Sequence, residues 1–269
     1  MSSTLQPVSK PATTLSAANA PSAPRVKICG ITNLADAELA LDLGAWTLGM
    51  IFYDGSPRRC SLEQALQITT AMRRKVELCG VFVNASLEEI ERTSEELGLT
   101  VVQLHGDEGP SFCEEVRRRT GALIVKAAQV AGPGDVRDLE RFHVDYHLLD
   151  TRSLATARQG MRGGTGESFD WELASVRRSS VPLILSGGLS AANVAEAIAI
   201  THPYAIDSAS ATESAPGHKD PEKLRALFAA VSATQPEPPV DAQQTPSSSD
   251  SAQIEPSDQG EAEQIGDAA

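Results

Sequence analysis

A single α/β domain whose eight parallel strands close into a (β/α)8 barrel is predicted by three features of the sequence. Apolar runs of strand length alternate with amphipathic stretches of helix length, the pattern of repeated βα units on a parallel sheet. Eight such pairs fit within the 208 residues from 25 to 232, compact for a barrel and more than an open doubly wound sheet usually holds. The first strand–helix turn reads Cys29-Gly30-Ile31-Thr32, without the glycine-rich turn common in such open sheets. The expected architecture is therefore one TIM barrel with a tail at each end.

Along the chain, the strands are expected at Val26 to Cys29, Thr47 to Phe52, Leu78 to Val83, Val101 to Leu104, Leu123 to Lys126, Tyr146 to Asp150, Leu183 to Ser186 and Ala205 to Ser208. Each is a short apolar run, as suits a parallel sheet covered on both faces. The helices begin near Asn33, Ser61, Ser86, Ser111, Gly134, Phe169, Ala191 and Pro221. Ser61 with Gln64, and Ser86 with Glu89, have the spacing at which a hydroxyl satisfies an orphan N–H of the first turn. Residues 1–24 are rich in Ser, Thr, Ala and Pro with Lys10 as their one charged side chain, and residues 233–269 are rich in Pro and Ser with eight acids and no base. Neither composition buries enough apolar surface to offset chain entropy, so both tails are expected to be disordered.

The 269 residues carry a formal charge of −13, of which the C-terminal tail supplies −8. A field of that sign repels phosphate backbones, which argues against nucleic acid as a partner. No apolar run approaches membrane-spanning length and no secretory leader is evident, so a cytoplasmic protein without membrane contact is expected. Cys29, Cys60, Cys79 and Cys113 form no C-x-x-C pair and join no histidine cluster, so neither a metal site nor a disulfide framework is expected.

In a (β/α)8 barrel the chemistry is built at the C-terminal ends of the strands. Lys27 and Cys29 share one face of the first strand, and Cys29 is either a packing thiol or a general base whose thiolate Lys27 favours. Asp150 ends the run Leu148-Leu149-Asp150, either capping the next turn or, partly desolvated, donating a proton from a raised pKa. Arg58 is either a solvated loop charge or a planar fork for a carboxylate or phosphate. The turns Ser186-Gly187-Gly188-Leu189 and Ser208-Ala209-Ser210-Ala211 follow strands seven and eight, where barrels cradle phosphate on backbone N–H groups. A further glycine-rich loop, Gly163-Gly164-Thr165-Gly166, follows strand six.

These residues fall within motifs that carry a family resemblance: Lys27-Ile28-Cys29-Gly30-Ile31-Thr32, Ser56-Pro57-Arg58, Gly80-Val81-Phe82-Val83-Asn84, Val102-Gln103-Leu104-His105-Gly106, Leu148-Leu149-Asp150-Thr151, Leu185-Ser186-Gly187-Gly188-Leu189 and Glu213-Ser214-Ala215-Pro216-Gly217-His218-Lys219-Asp220. Together with the glycine-rich loop they resemble the phosphoribosylanthranilate isomerases of tryptophan biosynthesis, over residues 25 to 231 and in that family's order. The resemblance implies a cofactor-free Amadori rearrangement of a small phosphosugar, with Asp150 as general acid and Cys29 as general base. It implies Arg58 on the anthranilate carboxylate, His105 and Asp207 along the sugar and aromatic pocket, and Gly187, Gly188 and Ser210 with Ala211 around the phosphate. Lys27 is expected among the substrate-binding residues, and the protein as a monomer or homodimer.

One stretch departs from the family pattern. Where relatives typically read Asp-Val-Ser-Ser-Gly-Val-Glu, this chain reads Asp207-Ser208-Ala209-Ser210-Ala211-Thr212-Glu213, so Ala211 is expected to strain a turn that glycine would enter at positive φ. A non-catalytic phosphosugar-binding barrel, with this loop as the relic of lost catalysis, is the first alternative. A related sugar-phosphate aldose–ketose isomerase that uses two aspartates is the second. The acid–base pair argues against the first, and Cys29 against the second.

Overall fold

The computed structural model describes residues 23–130, 132–150, 171–175 and 177–234, all within one unit of the chain. The two tails and the Gly163–Gly166 loop lie outside the described residues, apart from the residues that flank the barrel at each end. The strands β1 (Arg25–Cys29), β2 (Thr47–Ile51), β3 (Glu77–Phe82), β4 (Val101–Leu104), β5 (Leu123–Gln129), β6 (Tyr146–Asp150), β7 (Leu183–Ser186) and β8 (Ala205–Ser208) pair in sequence order. All neighbours are parallel, and β8 returns to β1, closing the barrel through the register Lys27 with Asp207. The helices described are α1 (Leu34–Asp42), α2 (Leu62–Met72), α3 (Leu87–Leu97), α4 (Pro110–Thr120), α5 (Pro133–Leu139), α6 (Glu172–Ser175), α7 (Val194–Thr201) and α8 (Pro221–Ser232).

Local sequence accounts for most of these boundaries. The Ser61 hydroxyl accepts from the Gln64 backbone N–H while the Gln64 side chain accepts from the Ser61 N–H, a reciprocal cap on α2. Asn33, Ser86 and Asp220 cap α1, α3 and α8 in the simpler way. Several strand ends move by one residue, and two bounds expected among the described residues move by three. β5 continues to Gln129 instead of stopping at Lys126, because Ala127, Ala128 and Gln129 go on pairing with Leu148, Leu149 and Asp150. α7 begins at Val194 instead of Ala191, because the Asn193 side chain accepts from the Ser190 N–H at 2.8 Å and turns the chain before the helix.

The two faces of each strand divide the core. Outward residues such as Ile28, Leu48, Leu104 and Ile206 pack against the helices. Inward residues Val101, Val125, Tyr146, Leu148, Ile184 and Ala205 fill the barrel, beneath Cys29 and Val81. Below them, the Arg25 guanidinium lies over the rings of Trp46 and Tyr204, at the end away from the strand C-termini. After β8 the chain makes one 3-10 turn (Ser210–Thr212) and a small hairpin, β9 (Glu213–Ala215) with β10 (His218–Lys219), which the sequence reading did not include. This hairpin is tied to the start of the barrel. The Lys219 backbone N–H donates to Asp36 Oδ2, and the Thr32 hydroxyl donates to the Gly217 carbonyl.

Candidate active site

At the C-terminal end of the strands lies a cavity of about 240 Å³, and its wall includes Cys29, Arg58, His105 and Asp150 together with the loops after β7 and β8. The period-2 alternation of each strand explains the convergence: Cys29 and Asp150 are final inward residues of β1 and β6, and His105 directly follows β4.

Cys29 is 6% exposed and faces Gly49 across the β1–β2 register. A Cβ at Gly49 would come within 3.0 Å of Cys29 Sγ and 3.2 Å of Lys27 Nζ, so the missing side chain leaves the room that the thiol and the ammonium share. Burial pushes the thiol's pKa up, and it stays raised although Lys27 and Lys219 draw it down. Lys27 therefore eases ionisation of Cys29 without overcoming the burial. Among the other thiols, Cys79 and Cys60 are pushed up to about 12 and Cys113 to about 11 by burial, as suits neutral packing groups.

Lys27, expected among the substrate contacts, is not among the residues that line the cavity. It is wholly buried under the floor, with its ammonium 2.8 Å from Asp207 Oδ1. Burial lowers its pKa, but Asp207 with the neighbouring thiols raises it further, and the lysine stays charged. Asp207 Oδ2 accepts from the Ser186 hydroxyl at 3.0 Å, which joins β7 and β8 at the floor.

Arg58 lines the cavity from the loop after β2, and its guanidinium is already engaged. Nε lies 2.9 Å from both oxygens of Glu213, and Nη2 lies 2.9 Å from Oε2. This fork fixes the plane of the guanidinium while leaving N–H groups for a second anion. Gly30, at φ +78°, makes the approach possible, since a Cβ there would sit 3.0 Å from Arg58 Cδ. Burial alone would raise the Glu213 pKa, but Arg58 and Lys219 pull it below the ordinary carboxylate value.

Asp150 Oδ2 lies 3.5 Å from His105 Nε2. Gln103 places its amide nitrogen 3.2 Å from His105 Nδ1, the ring nitrogen that does not face Asp150. Beneath this pair, Glu108 accepts from the backbone N–H groups of Asn84 and Gly106 and from Lys126 Nζ at 2.7 Å. That buried cluster fixes the loop after β4, and with it His105.

The loops after β7 and β8 form the remaining wall. Gly187 and Gly188 have φ of +104° and +70°, conformations that side chains rarely adopt. Asn193 donates to the Gly188 carbonyl and the Ser208 hydroxyl to the Leu189 carbonyl, holding the turn against β8. The buried Ser210 hydroxyl has no partner among the described residues, so a donor and acceptor stand ready at the cavity. The strain expected at Ala211 is absent: it lies inside the 3-10 turn and is not among the residues with positive φ. Glu213, Lys219 and Gln103 lie within the family motifs, yet no role for them was legible in the sequence.

Comparisons with known proteins cover the same part of the chain. Residues 26–230 match the family model described as N-(5'phosphoribosyl)anthranilate (PRA) isomerase. The N-(5'-phosphoribosyl)anthranilate isomerase of Citrifermentans bemidjiense is 44% identical over 205 residues, 76% of this chain and 95% of that relative. The crystal structure of phosphoribosyl anthranilate isomerase from Thermus thermophilus superimposes with a TM-score of 0.67 at 40% identity, covering 78% of this chain and 98% of that one. A phosphoribosyl anthranilate isomerase in complex with reduced 1-(o-carboxyphenylamino)-1-deoxyribulose 5-phosphate superimposes with a TM-score of 0.66 at 35% identity, covering 78% and 99%. With the matched region spanning all eight strands and every wall of the cavity, this chain belongs to the N-(5'-phosphoribosyl)anthranilate isomerase family.

Proposed function

We propose that this isomerase converts N-(5-phosphoribosyl)anthranilate to 1-(2-carboxyphenylamino)-1-deoxyribulose 5-phosphate, a step of tryptophan biosynthesis, using Asp150 as acid and Cys29 as base. Asp150 protonates the ribose ring oxygen, and the ring opens to an iminium. The iminium acidifies the proton on C2 of the sugar, which Cys29 removes to give an enolamine, and tautomerisation yields the ketone. Ring opening breaks the C1–O bond as the nitrogen lone pair forms the iminium, and the other steps are proton transfers, so the reaction written this way balances without a cofactor. The observation that carries the reading is the placing of a carboxyl and a thiol on one cavity wall, Asp150 from β6 and Cys29 from β1.

The remaining wall suits the two ends of such a substrate. Arg58, held by Glu213, receives the anthranilate carboxylate. The Gly187-Gly188 turn, Ser210 and the backbone at Ala211 receive the phosphate. His105 and Asp207 border the sugar between them. The test is to mix the full chain with freshly made phosphoribosylanthranilate and follow anthranilate-type fluorescence. Rapid loss supports the isomerase. Binding without loss points to the phosphosugar-binding alternative, and no binding overturns the substrate assignment.

A further inference from the structure

Within the motif His218-Lys219-Asp220 stands a charged side chain that the reaction above leaves unused. Lys219 projects from β10, and its side chain is 0% exposed. Its three N–H bonds meet three acceptors: the Cys29 carbonyl at 2.7 Å, the Ala209 carbonyl at 3.0 Å and Glu213 Oε1 at 3.3 Å. An apolar side chain could fill that volume without the desolvation cost of an ammonium, so filling space does not explain the charge. The ammonium ends against the backbone of the one residue whose thiol is the base.

We infer that Lys219 is a positioning residue for Cys29, holding its carbonyl at the end of β1 and setting a second positive charge beside the thiolate as it forms. The inference rests on the isomerase reading above for its catalytic meaning, but its electrostatic part stands apart from any substrate. Cys29 faces Lys27 on its own strand, Asp207 on β8, Lys219 on β10 and Cys79 on β3, while β2 (TLGMI) has no titratable side chain. Burial and Asp207 oppose the thiolate, and Lys27 and Lys219 favour it. Burial also lowers the pKa of Lys219, and Glu213 works against that loss by favouring the charged form. The same Glu213 oxygen accepts from Arg58, so one ammonium braces the base and the arginine fork together.

The experiment measures iodoacetamide alkylation of Cys29 against pH in the full chain, quantified on the Cys29 peptide by mass spectrometry, alongside isomerase kinetics. Lys219→Met, with its melting transition checked, should raise the alkylation midpoint by about one pH unit. It should lower kcat about tenfold while KM for phosphoribosylanthranilate changes less than about threefold. Lys219→Gln serves in the same way where the Met variant does not fold. A folded variant with an unchanged midpoint overturns the proposal, and failure of both variants to fold overturns it too, leaving Lys219 a structural strut. A shifted midpoint in a protein whose wild type does not isomerise phosphoribosylanthranilate supports the Lys219 assignment and rejects the substrate.

Discussion

At the scale of single residues, the site pairs each working side chain with one that holds it: His105 with Gln103, Arg58 with Glu213, and Asp207 with Lys27 and Ser186. Glu213→Gln tests the second pair. The neutral amide cannot hold the guanidinium with the same charge-assisted fork, so KM for phosphoribosylanthranilate should rise about tenfold, with a smaller change in kcat. An unchanged KM would detach Glu213 from carboxylate recognition. Lys27→Met leaves Asp207 buried without its ion partner and should destabilise the fold by about 3–5 kcal/mol, read from a urea unfolding curve. A loss below about 1 kcal/mol would mean that Asp207 is compensated elsewhere. That Cys29, Asp150 and His105 meet at one end of the barrel was legible from sequence, because a strand end fixes where a side chain emerges. The Arg58–Glu213 contact was not, because it joins residues 155 apart through a hairpin that strand periodicity does not announce.

Among elements, the loops after β7 and β8 carry the phosphate assignment, and they differ in what their backbone demands. At Gly187, with φ of +104°, an added Cβ forces a sparsely populated conformation that costs about 1–3 kcal/mol. Gly187→Ala should therefore raise KM by about tenfold or more. Ala211→Gly, in a 3-10 turn of ordinary φ, should change KM by less than about twofold. Both are read from initial rates, and equal effects would mean that backbone conformation does not distinguish the two loops. The eight strands were legible because apolar runs and caps are local signals. The ends of β5 and α7 shifted because ladder pairing with β6 and the Ser190–Asn193 turn outweighed them.

For the whole molecule, one buried histidine links stability to pH. His147 on β6 is fully buried facing outward from the barrel, with Nε2 on the Phe142 carbonyl and Nδ1 without a partner among the described residues. Burial lowers its pKa from 6.5 to about 4. The unfolded chain takes up this proton near pH 6.5 and the folded chain only near 4, so stability falls as pH drops through that window and levels below it. The loss is about 3 kcal/mol. His147→Leu should show a shallower fall between pH 6.5 and 4.5 in urea unfolding, and a slope equal to wild type would remove His147 as a source.

The most direct test of the account is turnover of phosphoribosylanthranilate by Cys29→Ser and Asp150→Asn, measured with binding of the reduced product analogue in the same proteins. The account predicts that each variant loses about a hundredfold or more in kcat while analogue affinity stays within about threefold of wild type. Near-normal turnover in either folded variant would contradict the assignment of that residue as acid or base.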